Sequence, residues 1–471
     1  MTELSNPAEP ALAPLSDAHD ERGARIALYA LCVSFFMIGL DATVVNVAIP
    51  AIQLSVRASL TDMVWVNSVY ALCYAVPLIV AGRLGDRCGL KRVFLAGLAG
   101  FTLASLVCAL APNAEVLIGA RAAQGLAAAL MAPQTMSLIV HLFAIEHRSA
   151  ALGTWGAVGG AAMAAGPLVG GLIVTTLGWR SIFLINLPIG IAGFIAALRW
   201  VPDRQPHRQH SFDVLGVLLS GASLFALVFA IQNGAQYRWG TIRGPISIGL
   251  VAAFGVVCLV VFVLWQQHNR QEPLLPLRLF THRNFSAASV AVLAMGAAMG
   301  GLLLPLMVYL QTGLGYSALA AGATAAPMFF VSSWCAHLTG RIADRVNPAL
   351  LTGFGFGIWA VGIAVLVWLL GLDASWWLLL TPLLIAGVGL GAVMVSLAGI
   401  ATRDLPVELV GAASGVFNTT RQVGYALGIA AAGLLLQAGI GSSATATTQI
   451  TLASPLVMLI VGMGCCTLVR N

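Results

Sequence analysis

Long apolar runs separated by short polar breaks constrain this chain more than any other feature of its sequence. Each run holds about 20 residues, enough for an α-helix to cross the roughly 30 Å hydrocarbon core of a bilayer. Because the runs are continuous and do not alternate, they predict helices and not the strands of a barrel. The predicted spans are 26–49, 62–82, 93–111, 116–139, 150–176, 182–201, 212–232, 244–266, 285–312, 318–338, 351–371, 376–400, 412–438 and 451–469.

The composition and the charge pattern agree with an all-α polytopic membrane protein. Apolar residues make up 59% of the chain and its mean hydropathy is +0.93, well outside the soluble globular range. Basic residues stay on the cytoplasmic side during insertion. Placing the N-terminus there leaves only four in predicted external segments: Arg57, Arg180, Arg238 and Arg243. We therefore predict a multi-pass protein of the cell membrane with both termini in the cytoplasm.

Little in the sequence indicates a nucleic-acid-binding protein, an enzyme or a metal protein. The excess of basic residues on the cytoplasmic side by itself explains the net charge of +6, so no nucleic-acid partner is expected. Residues 1–24 are rich in Ala, Pro, Asp and Glu and are predicted to be a disordered cytoplasmic tail. The eight cysteines lack zinc-site spacing, and the eight histidines lie mostly in predicted loops. We expect no catalytic residue, metal or cofactor, and a monomer in the bilayer.

An internal repeat divides the chain into two halves. The stretch Gly82-Arg83-Leu84-Gly85-Asp86-Arg87, predicted to be a tight cytoplasmic loop after the second span, recurs as Gly340-Arg341-Ile342-Ala343-Asp344-Arg345. The repeat predicts six-helix bundles at 25–201 and 285–471, with a two-helix insert and its loops at 202–284. Parallel halves of this kind are typical of transporters in which one half rocks against the other.

These residues resemble the major facilitator superfamily. Asp86 within GRLGDRCGLKR resembles the cytoplasmic loop signature of that family, and Leu40–Pro50 resembles the first-helix motif of its fourteen-helix drug:proton antiporter branch. Arg121–Gly125 resembles the motif whose buried arginine is tied to proton coupling. Residues Gly166–Gly171 resemble the antiporter motif of the fifth helix, and Gly178–Gly190 is typical of the same branch.

The resemblance implies a fold and a function. It implies the major facilitator fold with fourteen helices, in two pseudo-symmetric bundles with a two-helix insert. It also implies proton-coupled efflux of a small, lipophilic drug or natural product, with protons, the bilayer and the small molecule as the partners. A proton symporter or a facilitator that imports a nutrient on the same fold is the alternative. Predicted span 10 contains no acid, whereas relatives that export divalent organic cations would carry one near there, so dications are disfavoured.

Asp41 is the strongest candidate for carrying the proton. An ionised carboxylate near the bilayer centre costs about 2.5–3.5 kcal/mol on insertion scales. Its pKa responds both to desolvation and to a nearby cation. Arg121 enters its span from the outer side to a comparable depth, so it is the expected partner. A static pair that only holds two helices together is the alternative.

The remaining candidates fall into a gate and a cavity. The gate candidates of the repeated motif are Gly82, Arg83, Asp86, Arg87, Arg341 and Asp344, which form either a latch between the halves or simple topogenic charge. Gly166, Pro167 and Gly170 are expected to let the fifth span kink and approach a neighbour closely, or only to pack. The cavity candidates are Asn46, Gln124, Tyr309, Asn418, Arg421, Gln422 and Tyr425.

Arg421 leaves three alternatives open. Asn418, Arg421, Gln422 and Tyr425 share one helix face. The arginine could bind an anionic or hydrogen-bonding group of the substrate, stabilise a gate, or donate to backbone carbonyls of neighbouring helices. Tyr70 and Tyr74 are possible cavity walls or ordinary packing residues.

Overall fold

The computed structural model describes residues 18–143, 145–203, 213–269, 273–342, 346–370, 372, 376–439 and 443–469. The N-terminal half contains α1 (Ala18–Val56), α2 (Leu60–Ala75), α3 (Leu78–Cys88), α4 (Leu90–Leu110), α5 (Ala114–Leu142), α6 (Ile145–Leu177), α7 (Ser181–Leu184) and α8 (Asn186–Trp200). Next come α9 (Val214–Asn233), the antiparallel strands β1 (Thr241–Arg243) and β2 (Ile246–Ser247), and α10 (Ile248–His268).

The C-terminal half begins after a 3-10 turn at Leu277–Thr281. It contains α11 (Arg283–Val308) with a π-helical extension at Tyr309–Gly313, α12 (Ala318–Ile342), α13 (Pro348–Leu370), α14 (Trp376–Thr402), α15 (Val407–Ala438) and α16 (Ala444–Cys466).

The helical, membrane-spanning character of the chain is confirmed. Among the described residues, twelve helices are long and apolar enough to cross a membrane, or thirteen if α2 and α3, which are bent by 46°, form one span. The 32-residue helix α15 is not among these helices, because the polar residues on one of its faces lower its mean hydropathy. Each predicted span contains a helix, and the count of fourteen membrane crossings stays a prediction.

The two halves pair their helices in the same order. In the N-terminal half α1 packs on α6 and on α8, α2 packs on α5, and α4 packs on α5 and on α8. The C-terminal half repeats this arrangement, since α11 packs on α15 and α16, α12 on α14, and α13 on α14 and α16. The halves meet along two further pairs, α6 with α12 and α2 with α15. Any relative movement of the halves must therefore change these two contacts.

The first helix begins earlier than the sequence indicated. The predicted disordered tail ended at residue 24, but α1 already begins at Ala18. Once the apolar span has nucleated a helix, each further residue adds one backbone hydrogen bond at little cost, so the helix extends into more polar sequence. Residues 1–17 of the predicted tail lie outside the described residues.

Asp213 ties α9, α10 and the segment before α11 together. The carboxylate is 6% exposed. It accepts hydrogen bonds from the Gly216 amide (2.9 Å), Trp265 Nε1 (2.7 Å), Gln266 Nε2 (2.6 Å) and the Leu274 amide (3.2 Å). Burial alone would raise the pKa of Asp213, but these four donors together hold it below its ordinary value. The contribution to stability is therefore present above the ordinary carboxyl pKa and is lost as the pH falls through the lower, folded-state value.

Replacing Asp213 by alanine should destabilise this junction. Asp213→Ala leaves four buried donors without their acceptor, and hydrogen bonds to charged groups contribute about 1.5–3 kcal/mol each. We expect the midpoint of thermal unfolding of the purified protein to fall by several degrees near neutral pH. Asp203→Asn is the matched control because Asp203 forms only an exposed pair with Arg92, at 3.7 Å. An unchanged unfolding midpoint in Asp213→Ala would contradict the role of Asp213 in stabilising this junction.

Candidate functional site

A buried ion pair joins α1 to α5 inside the N-terminal half. Arg121 donates from Nη1 to Oδ2 of Asp41, and each of the two residues is 1% exposed. Sequence reasoning paired these residues because a lone buried charge is costly. The structure brings them together in an interior sealed from solvent.

Three uncharged polar side chains surround the pair. Gln124 accepts from Arg121 Nη1 (2.7 Å) and donates to Asp41 Oδ1 (3.0 Å) and to Ser105 Oγ (2.8 Å). Asn186, the first residue of α8, donates to Asp41 Oδ1 (3.4 Å) and to Ser105 Oγ (3.2 Å). Gln124 was predicted as a cavity residue, but it is fully buried and instead positions the carboxylate.

Arg121 is also held from the side of α2. Its Nε donates to the Val66 carbonyl oxygen at 3.1 Å. Its guanidinium carbon lies 4.0 Å from the centre of the Tyr70 ring, which is a cation–π distance. The arginine therefore connects α5 to α1 through a charge and to α2 through backbone and aromatic contacts.

The donors around Asp41 hold its carboxylate in place. Arg121, Gln124 and Asn186 all direct donors at its two oxygens, so a proton on the carboxyl group would replace one of these bonds. A neutral Asp41 would also leave the Arg121 charge buried without its counter-charge, which is strongly destabilising. The pair therefore ties the position of α1 to that of α5.

A second polar group lies one turn further along α1. Asn67 donates from Nδ2 to Asn46 Oδ1 at 2.9 Å, and Asn46 donates to the Ala42 carbonyl at 3.2 Å. The hydroxyl of Tyr425, on α15 of the other half, also donates to the Ala42 oxygen, at 3.4 Å. Asn46 and Tyr425 thus contact the same turn of α1, and Tyr425 reaches it across the seam, next to Asp41.

The remaining cavity candidates lie in different surroundings. Asn418 donates within its own helix to Ser414, at 3.0 Å, while Arg421 and Gln422 are partly buried. Tyr309 is 3% exposed and packs in the apolar core of the C-terminal half. The structure thus keeps the α15 stripe and Asn46 near the seam, and it places Tyr309 among core residues.

The antiporter-like motif on α6 is wedged between the two halves. Gly166 and Gly170 pack on α1, where any side chain would overlap Thr43 and Val44. The backbone at Pro167 packs on the other half, because a methyl group on Gly322 of α12 would overlap the Pro167 carbonyl oxygen. The small residues therefore permit two close helix contacts at once, one inside the half and one across the seam.

The repeated charged motif is helical, which corrects the predicted tight loop. Gly82 and Gly85 lie inside α3, and the turn is made by Gly89 alone, whose φ is +98°. Gly85 stays helical because it packs against the Gln134 side chain, which donates to the Ala81 carbonyl at 2.6 Å. The helix break occurs earlier, at Pro77, between α2 and α3.

The motif contacts the segment that leads into the C-terminal half. Arg83 donates from Nη2 to the Pro273 carbonyl at 2.8 Å, next to the backbone that Asp213 holds. Asp86 and Arg87 each have an interaction partner as well. In the second copy Arg341 is exposed near the end of α12, and Asp344 lies outside the described residues. The latch stays a prediction for Asp86, Arg87, Arg341 and Asp344.

Sequence reasoning missed Asn186, Ser105 and Tyr70 as parts of the charge cluster. Asn186 falls inside the quoted stretch Gly178–Gly190, and both Asn186 and Ser105 are polar residues within predicted apolar spans. That signal was available, but single polar residues in spans also pack harmlessly. Among the residues that the structure describes, His, Cys, Asp and Glu nowhere form a group of three that could hold a metal ion.

Comparison with known families decides the affiliation of this helical bundle. The family described as Major Facilitator Superfamily matches residues 31–429. The chain belongs to the major facilitator superfamily. Its fold agrees with that of a bacterial homolog of the human lysosomal transporter Spinster, solved in an inward-facing and occupied conformation. The TM-score is 0.66, with 14% identity and 97% of each chain covered.

Two relatives are similar over most of their length. The chain is 42% identical to an uncharacterized MFS-type transporter of Mycobacterium tuberculosis, covering 86% of this chain and 69% of that protein. It is 34% identical to the tetracenomycin C resistance and export protein of Streptomyces glaucescens, covering 88% of this chain and 76% of that protein.

Proposed function

We propose that this chain exports a small, lipophilic drug or natural product from the cell in exchange for protons. The observation that carries the proposal is the sealed Asp41–Arg121 pair, one residue from the point where Tyr425 of the other half contacts α1. A titratable group in that position can respond when the halves move. In this proposal both termini lie in the cytoplasm, and the chain acts as a monomer without a cofactor.

The direction of transport rests on two supports. The relative from Streptomyces glaucescens is named for resistance and export. The motif Gly166–Gly171 resembles the one that marks exporters, and its backbone packs against α12 at the seam. Import of a nutrient by proton symport would use the same fold, but none of the observed contacts favours it.

The contacts across the seam support an alternating-access mechanism. Near the start of α12 the halves touch at Gly322 and Pro167, and the Leu319 amide donates to Thr175 Oγ1 at 3.2 Å. On the second seam Gly433 of α15 packs on Val64 of α2. These contacts lie at the end of the bundle opposite α3, so that end is closed here. The opposite tilt of the halves would break them and open this end.

One proton per cycle supplies enough energy for useful export. A charge that moves down about 150 mV releases roughly 3.5 kcal/mol, at about 2.3 kcal/mol per 100 mV. At about 1.4 kcal/mol per decade, this supports a concentration ratio of roughly 300. A single titrating carboxylate is therefore sufficient.

Inverted membrane vesicles test the proposal directly. In such vesicles the cytoplasmic face is outside, so an interior made acidic should drive uptake of a substrate dye as protons leave. Collapse of the pH gradient with a protonophore should stop this uptake. A symporter would instead move the dye outward together with the protons. Dye movement that ignores the pH gradient would contradict proton coupling, and outward movement would contradict export.

A further inference from the structure

Arg421 is a partly buried cation without a carboxylate partner among the described residues. Its Nε is enclosed by protein and has no hydrogen-bond acceptor. The helix that carries it is fixed closely against α11, because the Arg421 carbonyl oxygen packs directly on Gly296. Keeping a guanidinium nitrogen away from both water and an acceptor is costly. A cost of this kind points to a partner that arrives from outside the chain.

The side chain belongs to the face of α15 that points at the N-terminal half. One turn further on, Tyr425 reaches the Ala42 oxygen of α1 across the seam. The helix that carries Arg421 also packs along α2, the helix of Tyr70 and Tyr74. The cation thus lies at the seam between the halves, where the cavity of an alternating-access transporter is expected.

A second unpartnered donor lies on the same face of α2. Tyr70 is 3% exposed, and its hydroxyl has no hydrogen-bond partner among the described residues. Its ring is 6.2 Å from that of Tyr74, so the two rings form a continuous aromatic wall. Arg121 covers the Tyr70 end of this wall, and α15, the helix of Arg421, packs along α2.

The charges at this seam do not balance. The single negative charge of Asp41 is taken up by Arg121, which leaves Arg421 as an excess positive charge. Protonation of Asp41 would increase that excess. A cationic substrate would be repelled from both arginines, whereas an anion would be attracted and could accept from donors that are now unused.

We propose that the transported molecule carries an anionic group, a carboxylate or an acidic phenolate on an aromatic body, which binds Arg421. Its aromatic part packs on the Tyr70 and Tyr74 rings, and the Tyr70 hydroxyl supplies a further donor. We call these three residues the Arg421 subsite. This inference rests on the proposed efflux function and deepens it by naming the substrate class. It also selects one of the three roles that the sequence left open for Arg421.

Two dyes that differ in one group test the charge preference. Rhodamine B has a free carboxylate, and its ethyl ester has the same ring system without it. Binding of each dye to the full-length protein in lipid nanodiscs is measured by fluorescence polarisation. The wild-type protein should bind rhodamine B about 10- to 100-fold more tightly than the ester, the range for one charge-assisted hydrogen bond.

Variants then assign the preference to Arg421. Arg421→Gln should bind both dyes equally, because it loses affinity for rhodamine B and keeps its affinity for the ester. Arg421→Lys should keep part of the preference for rhodamine B, because lysine keeps the positive charge but lacks the planar guanidinium that can donate two parallel hydrogen bonds. Arg199→Gln, an exposed position at the end of α8, is the matched control and should behave as wild type.

Several outcomes would overturn the inference. Equal affinities in the wild-type protein, or tighter binding of the ester, would exclude an anion subsite even if Arg421→Gln failed to fold. A preference that survives in a folded Arg421→Gln protein would show that another group binds the carboxylate. If inverted vesicles with an acidic interior take up the ester while rhodamine B does not bind, the Arg421 subsite fails and proton-coupled efflux stands.

Discussion

Asp41→Asn should abolish accumulation driven by a pH gradient while leaving substrate exchange intact. Asparagine has the size of aspartate and can still accept from Gln124 or Asn186, but it cannot carry a proton between two states. In vesicles under a pH gradient the substrate ratio should fall from the roughly 300 allowed by one proton to about 1. Counterflow, in which labelled substrate exchanges for unlabelled substrate without a gradient, should continue.

A matched control and a second variant separate coupling from folding. Glu115→Gln removes one acid from the exposed first turn of α5, the helix that carries Arg121, and should leave transport unchanged. Asp41→Asn alone leaves Arg121 buried without a counter-charge, which costs about 3–5 kcal/mol. The double variant Asp41→Asn with Arg121→Gln removes both charges and should recover much of the lost thermal stability.

The double variant distinguishes a proton carrier from a static pair. If the pair only held α1 against α5, neutralising both partners would restore gradient-driven transport along with stability. If Asp41 carries the proton, stability returns and gradient-driven transport does not. Gradient-driven transport at the wild-type level in either Asp41 variant would exclude this carboxylate as the coupling site.

The sequence allows the two charged members of the cluster to be predicted, but not its uncharged members. A carboxylate and a guanidinium inside apolar spans are costly, so Asp41 and Arg121 stand out and their pairing follows. Ser105 and Asn186 carry no comparable cost, because a lone hydroxyl or amide is tolerated in a membrane helix. Their inclusion depends on how α4 and α8 pack around α1, and no local pattern encodes that packing.

The charged motif shows how tertiary packing overrides a local signal. Two glycines in four residues favour a turn, yet Gly82 and Gly85 are helical in α3. Gly85 is needed because the Gln134 side chain occupies the space of a Cβ atom. The same composition can therefore mark a turn or a close contact, and only the neighbouring helix distinguishes the two.

Asp213 was overlooked for a different reason. It falls at the edge of a predicted span, where an acid is an ordinary helix cap. Its other three donors come from α10 and from the segment after it, residues 52 to 61 positions away in the chain. Because the Arg83 contact lies on the same segment, the two-helix insert forms a junction between the halves.

Gly322→Ala should shift the protein away from the state described here. The added methyl group would overlap the Pro167 carbonyl, and backbone cannot move aside as a flexible side chain can, so α6 and α12 would have to separate. Overpacking of this kind costs about 1–3 kcal/mol, which lowers the population of the closed arrangement about 5- to 100-fold. Transport should fall by a similar factor, because the cycle must pass through this arrangement.

Cross-linking reports the shift independently of transport. The Leu319 amide lies 3.2 Å from Thr175 Oγ1. A Thr175→Cys and Leu319→Cys pair, in a chain whose eight native cysteines are replaced, should therefore join readily in the wild-type background and poorly with Gly322→Ala. Gly153→Ala adds the same methyl group to α6 where nothing lies within 4 Å, and it should change neither readout. Full cross-linking with Gly322→Ala would mean that the seam tolerates the extra carbon, and the close approach of α6 and α12 would then not control the cycle.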